Sequence, residues 1–555
     1  MSIQLFQSRP ARASRISQPT QDFLSGLFAK RTSESERKKT GADLQRPAVL
    51  LLFLSALLWT VCPPAKAQRA IVSLKIMTGA SARVVVEGTG AASSVWSFRD
   101  SYAGVLNLGS RVENFQLFDN TGAEISSRQI APGQFQAARP ASKFRYEMNL
   151  APPVRTVDAA KVSWLNGERG LLMLRDLLPV LLTDPTAKGR DETKRETTAP
   201  ALTVRLGLPQ GWGEYSNQIG QTSGAVEVAD PDAAVFAVGD QLRISKTAVA
   251  GITLSLVTAG PWAFTDSEAI ELTAKILKAH YDVFRAAPVH NATLILFLSP
   301  QGGAPDRWSA ETRGSSVTLL MGRLPSKVAA LAQLSVPLAH ELLHLWVPNG
   351  LALNGDYDWF YEGFTVYQAA RIEVRLGQLT FAEFLSAMGR AYDGYVLAID
   401  HDRWSLVEAA KRRWTVGESA VYSKSMVVAF LYDLKLRSLS HDKRSLDDVY
   451  RSLFHEHGVI DARSVGKDSG QEGDGNDAAL KALAAYSGMQ DFGKSLISSA
   501  ASINLAEQLA PFGFTVESFG LRTRINVNSV LSRQQRDLLH DLGYNDEARA
   551  PRSKR

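Results

Sequence analysis

Apolar and polar positions alternate or run in short β-branched blocks along residues 70–262. Ile71 to Ile76 reads IVSLKI and Ala82 to Glu87 reads ARVVVE. Leu202 to Leu206 and Ile252 to Leu256 repeat the habit. Turn formers such as Asp119-Asn-Thr-Gly122 interrupt it at short intervals. Period-two patterning between frequent turns predicts a β-sandwich-like domain. Thr186 to Pro200 is polar and charged and reads as a loop. After Gly260-Pro261 the period changes. Asp266 is the expected cap of a helix that runs through Ala269, Ile270, Leu272, Ile276 and Leu277 toward Phe284. Thr293 to Leu298 (TLILFL) is a buried-strand candidate, and helices dominate from Ser326 onward. Lys467 to Asp477 reads as a flexible insertion, and Gly470 stands where a calcium loop needs a side-chain ligand. The residues after about 530 are expected to be weakly ordered.

The fold class that follows is α+β and multidomain. Its expected parts are a basic leader (1–47), an apolar segment (48–67), a β domain (68–262), a mainly helical second domain (263–525) and a tail (526–555). The chain has 555 residues, 45% of them hydrophobic, enough for several cores.

Charge invites a nucleic-acid reading, since the formal net is +6. Its location removes that reading. Residues 1–47 hold nine Lys/Arg against four Asp/Glu, and Lys66 adds one more, so residues 68–555 are neutral overall. No basic face is left for DNA or RNA. The run Ala48 to Cys62 (AVLLLFLSALLWTVC) follows Arg46 and precedes Ala65-Lys66-Ala67. A basic flank, a short apolar core and a small-x-small site form a secretory signal. The run is short for a membrane span, which needs about 20 residues. The expectation is a periplasmic or secreted protein, with a membrane tether through 48–62 as the alternative. Cys62 is the only cysteine, so the remainder has neither disulfides nor thiolate chemistry.

One stretch carries chemistry: Pro337-Leu-Ala-His-Glu-Leu-Leu-His-Leu-Trp346. Ser335 and Pro337 suit a helix start and Pro348-Asn349-Gly350 its stop, so a helix is expected over roughly Val336 to Trp346. Residues four apart share a face, so His340 and His344 can offer nitrogens to one metal ion. Glu341 lies one step round, placed to take a proton from water. Two surface histidines with a solvated glutamate would give the same letters. The apolar neighbours Leu338, Leu342, Leu343 and Leu345 weigh against that, because buried polar groups need partners. Glu362, in Asp358-Trp-Phe-Tyr-Glu-Gly-Phe-Thr-Val-Tyr367, is the candidate third ligand. Its alternative role is a glutamate near a helix N-terminus, favoured by the dipole.

With HELLHLW followed by WFYEGFTVY, the chain resembles the gluzincin metallopeptidases. Within them it is most similar to the glycyl aminopeptidase family, over about 290–440 most strongly. That resemblance implies a thermolysin-like catalytic domain behind a β domain and one zinc ion. It implies His340, His344 and Glu362 as ligands and Glu341 as general base. It also implies that Tyr422, in Val421-Tyr-Ser-Lys-Ser425, donates to the oxyanion, although Ser425 replaces the family's glycine. The family's Gly-Leu-Glu-His-like segment would correspond to Ala310-Glu-Thr-Arg-Gly-Ser-Ser316. Glu311 would then hold a substrate ammonium, with Thr312 in place of histidine; a solvated loop glutamate is the other reading. The implied partner is a peptide or protein substrate, cleaved by an aminopeptidase. An endopeptidase, or a non-catalytic binding or scaffold protein with a peptidase-like fold, stays open as an alternative.

Overall fold

The computed structural model describes residues 70–545, apart from 78–81, 184–201, 219–220, 223, 303–306 and 460–472. The leader, the apolar run 48–62 and the expected loop Thr186 to Pro200 lie outside the described residues. Among the described residues no helix is long and apolar enough to cross a membrane.

Among the described residues the three larger sheets stack in layers, and helices close the last one. The first sheet has nine strands; Arg83–Ser97 and Gln134–Asn149 are its long central pair. The second has four strands in the order Trp212–Ser216, Val235–Asp240, Arg169–Met173, Trp164–Leu165. The middle sheet shows why period-two sequences were legible here. Leu172, Phe236 and Val238 pack into the core under the nine-stranded sheet. Their strand neighbours Leu171, Met173, Val235 and Ala237 point the other way, onto Val257, Ile295, Phe297 and Leu320 of the third sheet. Successive side chains take opposite faces, and here both faces are buried.

The third sheet corrects the expected domain boundary at 262. Its strands run in the order Arg243–Val249, Ile252–Thr258, Asn291–Leu298, Ser316–Met321, Trp308–Arg313. The first two were expected in the N-terminal domain. They pair instead with the sheet that carries the helical part; Ile252–Thr258 lies parallel to Asn291–Leu298. Periodicity reports a strand but not its sheet, so Gly260-Pro261 marks a change of element rather than of domain. The connection between those two strands is the helix Asp266–Phe284. Its cap is Thr265, not Asp266: Thr265 accepts from Glu268 N–H while the Glu268 carboxylate accepts from Thr265 N–H.

The other face of this sheet packs on the helices. Lys327–Leu343 begins earlier than expected, capped by Ser326, with Pro337 inside it. The proline removes one helical N–H and crowds the carbonyl one turn back, yet Ala330, Leu334, Leu338 and Leu342 keep one buried stripe through it. Helices Thr365–Arg375, Phe381–Val396 and Ser425–Ser440 complete the layer. Two further expectations are corrected. Asn476 and Asp477 lie in the helix Gly475–Ala484 rather than in the flexible insertion. The tail from 526 includes the end of the strand Arg522–Val527 and the capped helix Arg533–Asp541, which buries Leu538 and Leu539.

Candidate metal centre

The histidine helix brings both rings to its buried end. His340 lies in its last turn and His344 one residue beyond it, in a turn closed by His344 N–H on the Glu341 carbonyl. The expected four-residue spacing holds: the two Nε2 atoms stand 3.0 Å apart. Glu362 arrives on the widened turn Trp359–Phe364 that leads into Thr365–Arg375. Gly363 explains that approach. A Cβ there would stand 2.2 Å from Ser425 Cβ and 2.5 Å from the Val421 carbonyl. Only a glycine lets the glutamate-bearing turn press against the segment that carries Tyr422.

Glu362 Oε2 lies 3.3 Å from His340 Nε2 and 3.6 Å from His344 Nε2. Three atoms bound tetrahedrally to one ion at about 2.0–2.1 Å would stand about 3.4 Å from each other. The observed separations of 3.0, 3.3 and 3.6 Å bracket that value. The tautomers fit as well. With Nδ1 of His344 donating to the Val347 carbonyl at 2.9 Å, its Nε2 turns a lone pair inward. Nδ1 of His340 faces Thr365 Oγ1 at 3.5 Å. Two inward lone pairs and a carboxylate oxygen repel one another unless a cation or proton lies between them. Among the described residues this is the one group of His, Cys, Asp and Glu able to hold a metal ion.

In the metal-free chain a proton serves instead. Burial, then the charge of His344, presses His340 down to about 4. Burial also opposes charge on His344, but the Glu362 carboxylate outweighs it and holds His344 up at about 9. Burial works against Glu362 too; Arg413 first, then His344, keeps it well below the usual carboxylate range.

Glu341 is buried beside this group. Burial pushes its carboxyl up to about 7, against the pull of His344 and a hydrogen bond from Thr312. Thr312 Oγ1 stands 2.7 Å from Glu341 Oε2 and 2.9 Å from its main-chain oxygen. The residue that departs from the family's histidine thus sits directly on the candidate base. Glu311 is on the edge strand Trp308–Arg313, not in a loop. It accepts a 2.5 Å hydrogen bond from Tyr102, which the N-terminal part of the chain supplies. The Arg313 guanidinium lies 4.0 Å above that tyrosine ring.

Tyr422 sits on a second widened turn, Ala420–Lys424, at the head of Ser425–Ser440. Its hydroxyl accepts from Arg413. Arg413 Nη1 also donates to Asp358 Oδ1 at 2.8 Å, and its Nη2 lies 2.8 Å from Glu362 Oε1. Sequence reasoning missed Arg413, Asp358 and Tyr102. Asp358 stands within the quoted WFYEG context, but no motif spacing marks the other two.

No family model matches the chain, and no curated protein matches it. Solved structures do. An aminopeptidase N family protein from Idiomarina loihiensis is 19% identical, with a TM-score of 0.66 over 81% of this chain and 79% of that one. A zinc metallopeptidase variant from Deinococcus radiodurans, bound to a Tyr-Ser-Ala substrate, is 14% identical, with a TM-score of 0.47 over 79% of this chain and 95% of that one. The first likeness shows that this chain has the aminopeptidase N fold.

Proposed function

We propose that this chain is a zinc-dependent metallopeptidase that removes residues from peptide N-termini. The observation that carries the reading is the convergence of His340 Nε2, His344 Nε2 and Glu362 Oε2, with Glu341 buried beside them. The fold shared with an aminopeptidase N family protein supports it. A nitrogen–nitrogen–carboxylate set suits zinc, and leaves a position open. Bound zinc supplies Lewis acidity, which polarises a carbonyl and makes water nucleophilic at neutral pH.

The chain's own residues do the rest. Glu341 accepts the proton of the attacking water and returns it to the leaving amine. Thr312 fixes that carboxylate through its hydroxyl. Tyr422 donates to the oxyanion that forms on the scissile carbonyl, a charge present only after attack. Glu311, on the edge strand, pairs with a substrate ammonium.

Metal content and peptide hydrolysis, measured together on purified protein and its Glu341→Gln variant, test this. Both proteins should carry about one zinc. The variant should lose about 100- to 10,000-fold in kcat, the contribution usual for a positioned base. Blocking the peptide N-terminus by acetylation should abolish cleavage. Equal cleavage of blocked peptides would replace the aminopeptidase reading with an endopeptidase. Full activity in Glu341→Gln would end the metallopeptidase assignment.

A further inference from the structure

Arg413 touches both halves of the candidate site. It opens the turn Arg413–Gly417, and its side chain is only 12% exposed. One guanidinium nitrogen holds Asp358. The other holds the Glu362 oxygen that faces away from the histidines, and also donates to the Tyr422 hydroxyl. Because a guanidinium has five N–H donors and no acceptor, the direction of that last bond is fixed. Tyr422 Oη accepts it, and the tyrosine's own hydrogen must point away from Arg413.

We propose that Arg413 is a positioning residue that aims the Tyr422 O–H at the reaction centre and leaves Glu362 a single oxygen for the metal. This rests on the peptidase reading above. Charge balance alone does not call for such an arrangement. Asp358 and Glu362 already neutralise the guanidinium, so the contact with Tyr422 adds direction rather than compensation. Backbone packing does not depend on it either. Gly363 seats directly against Val421 and Ser425, which holds the two turns together without Arg413. What Arg413 adds is the orientation of two side chains that those turns carry. Lysine cannot replace it, since one ammonium lacks the planar fork that spans three acceptors.

The test is a cycle: Arg413→Lys and Arg413→Gln, each alone and in the Tyr422→Phe background. The readouts are zinc per chain, kcat and KM on a peptide, and affinity for a phosphinic dipeptide, whose charged oxygen mimics the oxyanion. The expected result is zinc retained throughout, and a loss of about 10- to 100-fold in both kcat and phosphinate affinity for Arg413→Lys. KM should stay within about threefold, and in the Tyr422→Phe background the same change should cost clearly less than in the unsubstituted chain, because only the contact with Glu362 is then left to lose. Equal losses in both backgrounds, or a change confined to KM, would overturn the proposal and leave the peptidase reading intact. A silent Arg413→Lys would overturn it too. If Arg413→Gln does not fold, Arg413→Lys, which keeps the charge, carries the test. Neither zinc nor cleavage in the unsubstituted chain would overturn both.

Discussion

Two buried ionic clusters share the helical layer, and they are closed in different ways. In one, Asp433 and Asp447 meet Arg371, Arg375 and Arg437. Arg371 lies 3.3 Å from Asp433 and 3.1 Å from Asp447, Arg375 lies 2.6 Å from Asp447, and Arg437 lies 3.0 Å from Asp433. Asp442, 3.8 Å from Arg437, makes the charges equal. Tyr367, Gln368 and the Leu446 N–H fill the remaining acceptor positions. In the other, Asp358 and Glu362 meet one guanidinium, that of Arg413, and Glu341 is buried beside the histidines. With both histidines neutral, as metal binding requires, this leaves two uncompensated negative charges, and two nitrogen lone pairs aimed at each other. One divalent cation would settle both. Burial of charge is therefore not what marks a site. The first cluster buries Asp433, Arg371 and Arg437 as fully as the second buries its members, with Arg375 left 40% exposed, but its charges balance among themselves. The second has a surplus of aimed donors.

The same kind of substitution should break the two clusters in different ways. Glu362→Gln keeps the shape and removes the charge. The loss of a metal ligand and several kcal/mol of charge stabilisation should lower activity about a thousandfold or more, with most of the zinc gone. Zinc analysis alongside a thermal melt checks this, because the metal-free fold should change little. Asp433→Ala should do the reverse. It strips Arg371 and Arg437 of a shared partner, and breaking a buried pair costs about 3–5 kcal/mol. Urea unfolding should show that loss, while the folded fraction keeps its zinc. If Asp433→Ala removed zinc without lowering stability, the two clusters would not be separate.

The contrast also explains what was legible in the chain. His340 and His344 stand four apart, a spacing that a helix turns into neighbours, so their meeting could be read from the letters, whereas Glu362, on another element, was read from its Glu-Gly context and the resemblance it carries. Gly363 was legible as part of a motif, but its reason lies in Val421 and Ser425, remote in sequence. Arg413 was invisible because it sits on an irregular turn with no period and meets three partners from two other segments. The strand Ile252–Thr258 was legible from Ile252 to Leu256, yet its sheet was not, since pairing is a long-range choice. The helix Arg533–Asp541 was missed because it buries only Leu538 and Leu539 against an otherwise polar face. Pro337 misplaced the start of the histidine helix for a related reason: the buried stripe that carries the helix through the proline is tertiary.

A third way of burying a carboxylate, with neither arginine nor candidate metal, sharpens the comparison. Glu373 lies on the helix after Glu362, where Ser335 of the histidine helix donates to its Oε2. Its Oε1 meets no partner among the described residues. Burial pushes this carboxyl up to about 7, only partly offset by Ser335. Protonation then does what arginine and metal do elsewhere. The sign follows from proton binding. Between about 4.5 and 7 the folded chain keeps a proton that the unfolded chain releases, so stability is fully present at lower pH and falls as pH rises through that window. A shift of this size corresponds to about 3 kcal/mol lost by the top of the window. Glu373→Gln presents a similar neutral shape at every pH. Urea unfolding of metal-free protein should show the variant close to wild type at pH 5, and up to about 3 kcal/mol more stable at pH 8. Parallel curves at the two pH values would mean that Glu373 has found a compensating charge, and that the distinction among three ways of burying a carboxylate does not hold at this position.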